Sequence, residues 1–295
     1  MRCRPLAFCM VLLVPLMARG QDKEADDRYK KLEEKYAHLR DSLLLLHPLI
    51  PAVSSVMIKQ SQVELNLFNS ILTANHYRDE DGQMRPFNFR ETYFYTTLQA
   101  TYGISPKARI NAGIDVNTIT GRVSGVHATA FTSMAARVRW RPIRRNYNFT
   151  VQASLGIPFH IQESKQRILG QPPYYFLTQA LYNLPLGKQL FLFGQFSLQY
   201  NFKRENVPAA LYAPLTPYFC WYIPKRVILF ALVNYVPIFA VEDNWSYRYT
   251  LEPGGGIQCQ LSRAWLINLY YTNDVSGKNY PDFSGYYLSM RFITR

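Results

Sequence analysis

"YNFTVQASLGIPFH", residues 147–160, alternates almost without a fault. Phe149, Val151, Ala153, Leu155, Ile157 and Phe159 fall on one side; Asn148, Thr150, Gln152, Ser154 and Gly156 fall on the other. A period of two is the signature of an extended strand, because successive side chains point to opposite faces. One face of this segment is apolar and the other polar, so the fold turns on whether the apolar face meets a protein core or lipid.

The same pattern recurs downstream of residue 60. Twelve strand-like runs are read, at roughly 62–74, 91–104, 108–119, 127–141, 147–160, 173–186, 189–203, 212–223, 226–239, 248–262, 264–274 and 284–294. Soluble strands average about five or six residues. A tilted bilayer crossing takes about 9–11, and the runs match the longer figure. Short connections at 105–107, 142–146, 187–189, 224–225 and 262–263 alternate with longer ones at 75–90, 120–126, 161–172, 204–211, 240–247 and 275–283. An even strand count with alternating connections predicts an all-β fold: an up-and-down antiparallel transmembrane barrel of about 12 strands, with both ends on one side. Tyr and Trp gather at run ends, as in "YFCWY" (218–222) and "NWSYRY" (244–249), where amphipathic rings suit a lipid–water boundary. The weakest runs are 212–223, with Pro214 and Pro217, and 248–262, with "PGGG" at 253–256; losing either lowers the count to ten.

The first twenty residues read as a secretory signal. Arg2 and Arg4 precede the apolar "LAFCMVLLVPLMA" (6–18), and Ala18 and Gly20 suit cleavage before Gln21. The expected organisation is a signal peptide over 1–20, a charged periplasmic helix or tail over 21–50, and an outer-membrane barrel over 60–295. Within 22–48 the spacing of Tyr29, Leu32, Tyr36, Leu39 and Leu43 predicts a helix that Pro48 ends.

The net charge is +13. Residues 21–47 hold six bases and seven acids, and 48–295 hold 24 bases and 13 acids. An exported chain with no basic helix or binding motif is not expected to bind nucleic acid. Every short turn carries a base (Lys107, Arg144, Arg145, Lys188, Lys225, Arg263), while acids such as Asp79, Glu80, Asp81, Glu163 and Asp282 lie in the long loops. This asymmetry fits a fixed orientation in the membrane. Cys220 and Cys259 remain after export, too few for a disulfide framework, and the sequence leaves their pairing open.

No histidine pair has ligand spacing, so no metal and no cofactor is expected. "DEDG" (79–82) begins like a calcium loop but lacks the alternating oxygens and the closing Glu. No G-x-S-x-G and no Ser–His stretch suits a lipid-acting barrel enzyme, and the chain is expected not to be an enzyme. The informative feature is the polar register: Glu64, Asn66, Gln99, Asn111, Asp115, Arg137, Arg139, Gln152, Gln195, Gln199, Glu252, Gln258 and Arg291 are expected to line the lumen and any solute path. Tyr93, Tyr95, Tyr175, Phe191, Phe193 and Tyr270 share that register, as a slide for solute or as packing. Twelve strands lie between filled eight-stranded barrels and open porins, so a narrow pore, plugged by loops or by residues 21–60, is compatible with the pattern.

On "VELNLFNSILTANHYRDEDG" (63–82), "RETYFYTTLQATYGISPKARINAGIDV" (90–116) and "NFTVQASLGIPF" (148–159), the chain resembles outer-membrane barrels of the Bacteroidota and, loosely, the meta-pathway phenol-degradation transporters. The resemblance implies an outer-membrane transporter of small solutes and transfers no functional residue. Barrels of this kind usually finish on an aromatic residue; here "RFITR" (291–295) offers Phe292 with three residues beyond it. Three functions follow, in this order: a channel for passive passage of small solutes, with outer-membrane lipid and solute as its partners; a non-conducting barrel that anchors a periplasmic partner through 21–50; and, last, a lipid-acting barrel enzyme.

Overall fold

β1 (Val63–Arg78) pairs on one edge with β2 (Met84–Gly103) and on the other with β14 (Tyr280–Ile293), so the sheet closes on itself. The computed structural model describes residues 57–294 except 124, 144–145, 204–207, 224–225 and 242–245. The signal and the helix expected over 21–50 lie outside the described residues.

Between the closing strands run β3 (Ile110–Val123), β4 (Val126–Trp140), β5 (Phe149–Pro158), β6 (Tyr175–Pro185), β7 (Leu190–Asn201), β8 (Ala210–Tyr212), β9 (Leu215–Ile223), β10 (Val227–Ala240), β11 (Ser246–Gln260), β12 (Trp265–Asn273) and β13 (Ser276–Lys278). A short helix, α1 (Glu163–Leu169), lies between β5 and β6. All pairings are antiparallel. β8 and β9 both lie between β7 and β10, and β12 and β13 both pair with β11. Each couple is one stave broken by a bulge, and the barrel has twelve staves.

Both doubtful runs are strands. The first breaks at Pro214, whose missing N–H cannot extend the ladder. Its carbonyl instead accepts from Ser197 N at 2.9 Å, and Ala213 N donates to Pro237 O at 3.0 Å, so the bulge is stitched on both sides. The glycines 254–256 lie inside an unbroken β11.

The expected alternation of connection lengths is corrected. The "long" 75–90 is mostly ladder: β1 continues to Arg78 and β2 begins at Met84. There "DEDG" is a tight turn. Asp79 Oδ1 accepts from Asp81 N (3.1 Å) and Gln83 N (2.8 Å), Oδ2 accepts from Arg85 Nε (2.9 Å), and Gly82 takes φ 76°. Desolvation pushes the Asp79 carboxyl up, but the Arg85 bond and the two backbone N–H groups outweigh it and hold the group below its ordinary value. The 120–126 connection shrinks to residues 124–125. The polar sequence at these ends still pairs in register with its neighbours, so hydrogen bonding carries the strands further than the apolar runs alone suggest.

The two faces separate as the period requires. Leu98, Ile114, Met134, Leu155, Ile157, Phe196, Phe219, Leu269 and Leu288 are exposed around the outer wall. Soluble monomers rarely expose so continuous an apolar surface, and a closed barrel leaves no unpaired backbone in hydrocarbon. The apolar face of residues 147–160 therefore meets lipid. Tyr271 and Tyr286 (ring centroids 5.0 Å apart) and Trp265 and Phe292 (4.9 Å) pair across neighbouring strands.

Inside, glycines make room for rings. A Cβ on Gly156 would lie 2.0 Å from Cε1 of Tyr175, its cross-strand partner, whose ring lies over the glycine. Gly156→Leu should displace that ring and lower stability by about 1–3 kcal/mol, read as a lower denaturant midpoint in detergent.

Candidate functional site: the barrel lumen

The lumen is built from the polar register. All thirteen residues expected to line it fall on the inward side of their strands, set by the ladder registers and by burial. The structure brings most of them into one transverse belt near the rim where Val63 meets Thr294.

Glu64 on β1 is the hub. It is wholly buried, accepts from Asn66 Nδ2 at 2.9 Å, takes a charge-assisted hydrogen bond from Arg291 on β14, and lies 3.6 Å from Arg139 Nη1. Arg139 comes from β4, so β2 and β3 lie between it and Glu64, and its side chain reaches across the inner wall. Its Nε donates to Gln152 Oε1 (3.1 Å), Gln152 Nε2 to Gln179 Oε1 (2.7 Å), and Gln179 Nε2 to Ser197 Oγ (3.2 Å). This chain of contacts runs unbroken from β14 to β7. Beside it, Arg137 donates to Gln99 Oε1 (2.9 Å) and Thr101 Oγ1 (2.8 Å) and pairs with Asp115 (3.1 Å). Farther round, Gln258 on β11, Asn268 on β12 and Arg291 on β14 are neighbours. Both side-chain amide atoms of Gln258, Asn268 Oδ1, and Arg291 Nε and Nη1 have no protein hydrogen-bond partner among the described residues.

The remaining arc is apolar. Leu181, Phe193, Tyr218, Cys220, Ile228, Phe230 and Leu232 form one buried cluster. Phe193 and Tyr218 lie 5.4 Å apart, Tyr218 and Phe230 6.0 Å, and Phe230 and Tyr270 6.0 Å, while Tyr270 and Tyr287 stack at 4.2 Å and 2°. With Arg139 and Phe193 each 1 % exposed and Glu64 0 %, side chains fill this half of the lumen. The backbone just before β1 adds to the filling. Asn111 Nδ2 donates to Ile58 O (3.0 Å) and its Oδ1 accepts from Ile58 N (3.2 Å), holding buried Met57 and Ile58 at this mouth.

Towards the other end the lumen loosens. Gln199 and Glu252 there are only half-buried, as are Gln99 and Gln195 beside the belt. Glu252 is reached from Thr216 through Asn234: Thr216 Oγ1 donates to Asn234 Oδ1 at 2.8 Å, and Asn234 Nδ2 to Glu252 Oε2 at 3.2 Å. Helix α1 folds back against β3 and β4. Lys165 Nζ donates to Thr129 O (3.0 Å), and Ile168 and Leu169 lie so close to Gly121 that a Cβ there would come within 3.0 Å of each. The helix was not visible in the sequence, where 161–172 reads as loop. The apolar cluster was also missed, because β9 and β10 are apolar on both faces and period two cannot choose between them. Cys220, inside this cluster, and Cys259 are both free thiols. Among the described residues no group of three or more His, Cys, Asp or Glu could hold a metal ion.

No protein-family model and no curated protein matches the chain. Solved structures do. The crystal structure of an outer membrane channel from Pseudomonas putida F1 superposes with a TM-score of 0.64 at 11 % identity, over 83 % of this chain and 100 % of that one. The beta domain of the Bordetella autotransporter BrkA superposes with a TM-score of 0.54 at 10 % identity, over 77 % of this chain and 98 % of the other. At such identities the likeness is one of fold, and the fold is that of bacterial outer-membrane barrels.

Proposed function

We propose that this chain, exported through a cleaved signal peptide, is an outer-membrane channel for passive passage of small solutes. The observation that carries this reading is the inward register itself. A barrel that served only as an anchor would gain stability from an apolar filling, yet this interior holds a run of arginines, carboxylates and amides from β14 to β7. Buried polar groups without partners cost about 1–3 kcal/mol each, so the unmatched atoms of Gln258, Asn268 and Arg291 call for water in the lumen. The described conformation is the closed one. Passage requires the belt to part and the Met57–Ile58 segment to leave its mouth.

Single-channel recording in planar bilayers tests this. Defined openings are expected from the native chain. Asn111→Ala removes both bonds to Ile58 and should raise the open time or conductance severalfold. Silence of both proteins, with a partner that copurifies through 21–50, would instead establish the anchor reading, which the complete burial of Glu64 and Arg139 favours.

A further inference from the structure

The rim where the chain ends meet carries an unbalanced charge. Its hairpin connections, 104–109, 141–148, 186–189, 224–226 and 261–264, hold nine Lys or Arg and no Asp or Glu. Among the described residues the acids nearest to it, Glu64 and Asp115, are turned into the lumen and paired with lumen arginines. The bases are not set back from the apolar wall. Exposed Lys107 lies between exposed Ile104 and Ile110, Lys188 between Leu186 and Leu190, and Arg263 between Leu261 and Trp265. Arg226 Nη1 donates to Leu261 O at 3.1 Å, tying two of these turns together. At about 3.3 Å of rise per residue, these three bases stand within roughly 10 Å of side chains that face hydrocarbon, which is the depth of the headgroup phosphates. The opposite rim differs: Glu80 and Asp81 are exposed there, and Arg78 and Arg85 are already paired with Asp282 and Asp79.

We propose that the basic rim is a docking surface for the phosphates of anionic phospholipids in the leaflet it faces. Lys107, Lys188, Arg226 and Arg263 supply ammonium or guanidinium groups at phosphate depth, and among the described residues no carboxylate on the rim competes for them. The collar holds the barrel at a fixed height and orientation, and it acts whether or not the lumen conducts.

The test is native mass spectrometry of the full chain taken from vesicles of equal phosphatidylcholine and phosphatidylglycerol. Bound phosphatidylglycerol should exceed phosphatidylcholine by about threefold or more, since juxtamembrane bases attract anionic lipid individually, and high salt should abolish the excess. Replacing Lys107, Lys188, Arg226 and Arg263 together by Gln should bring the ratio to parity. Arg85→Gln, Arg122→Gln and Lys165→Gln, together at the other rim, should leave it unchanged. Parity in the native chain, or an equal fall in the opposite-rim variant, overturns the proposal. Should the fourfold variant not fold, Lys188→Gln and Arg263→Gln singly, on exposed turns, should each lower the ratio, and no change in either overturns it.

Discussion

Glu64→Gln is expected to cost about 3–5 kcal/mol, because removing one partner of a buried ion pair strands the other charge. Here it strands two, Arg139 and Arg291, whose side chains are 1 % and 6 % exposed. The amide can still accept one hydrogen bond but cannot offset either guanidinium. The measurement is a denaturant midpoint in detergent, followed by loss of the folded band on unheated gels. Two comparisons give the result its meaning. Arg85→Gln breaks a pair in which Arg85 is 54 % exposed, and should change stability by less than about 1 kcal/mol. Exchanging Glu64, Arg139 and Arg291 together for Leu, Met and Met removes all three charges at once and should recover most of the loss. If Glu64→Gln unfolds at the native midpoint, water screens Arg139 as well as Arg291 and the belt does not fill the lumen.

How far the sequence showed this belt follows from what period two can and cannot report. Where one face is polar and the other apolar, as in β4 with Arg137 and Arg139 against Val138 and Trp140, alternation fixes which side chains turn inward, and the ladder places them so. Alternation does not report how far a side chain reaches. The contact of Arg139 with Glu64 crosses two intervening strands and depends on the curvature of the wall, which no local pattern encodes. Nor does it resolve β9 and β10, where Tyr218, Cys220, Ile228 and Phe230 turn inward while Phe219, Trp221 and Leu229 turn outward, all of them greasy. Connection lengths are hidden from the alternation for another reason. Apolar runs end before the strands do, because backbone hydrogen bonding does not stop where the side chains become polar. β2 starts at Met84, well before the apolar stretch of "RETYFY" begins. Strand number and facing, unlike connection length, are set by the alternation itself.

Phe193→Ala and Phe196→Ala, three residues apart on β7, should separate by several kcal/mol. Phe193 is 1 % exposed and packs on Tyr218 inside the lumen cluster. Truncating it leaves a cavity that the curved wall cannot collapse to fill, at a cost of about 3–5 kcal/mol. Phe196 is 43 % exposed on the outer wall. There lipid chains close over the missing ring, and the loss is the transfer of a partly exposed apolar group, about 1 kcal/mol. The ordering tests the facing directly, since a chain folded with Phe196 inward would reverse it. Under the channel proposal the same pair reads out in conductance. Phe193 belongs to the apolar arc that meets the belt of Arg139 and Gln152, so its removal opens space beside the solute path and should raise conductance. Phe196→Ala, on the far side of the wall, should leave conductance at the native value. Equal conductance in both variants, with the stability difference intact, would leave the lumen filled but sealed, because the arc that yields most easily would then be no part of a path.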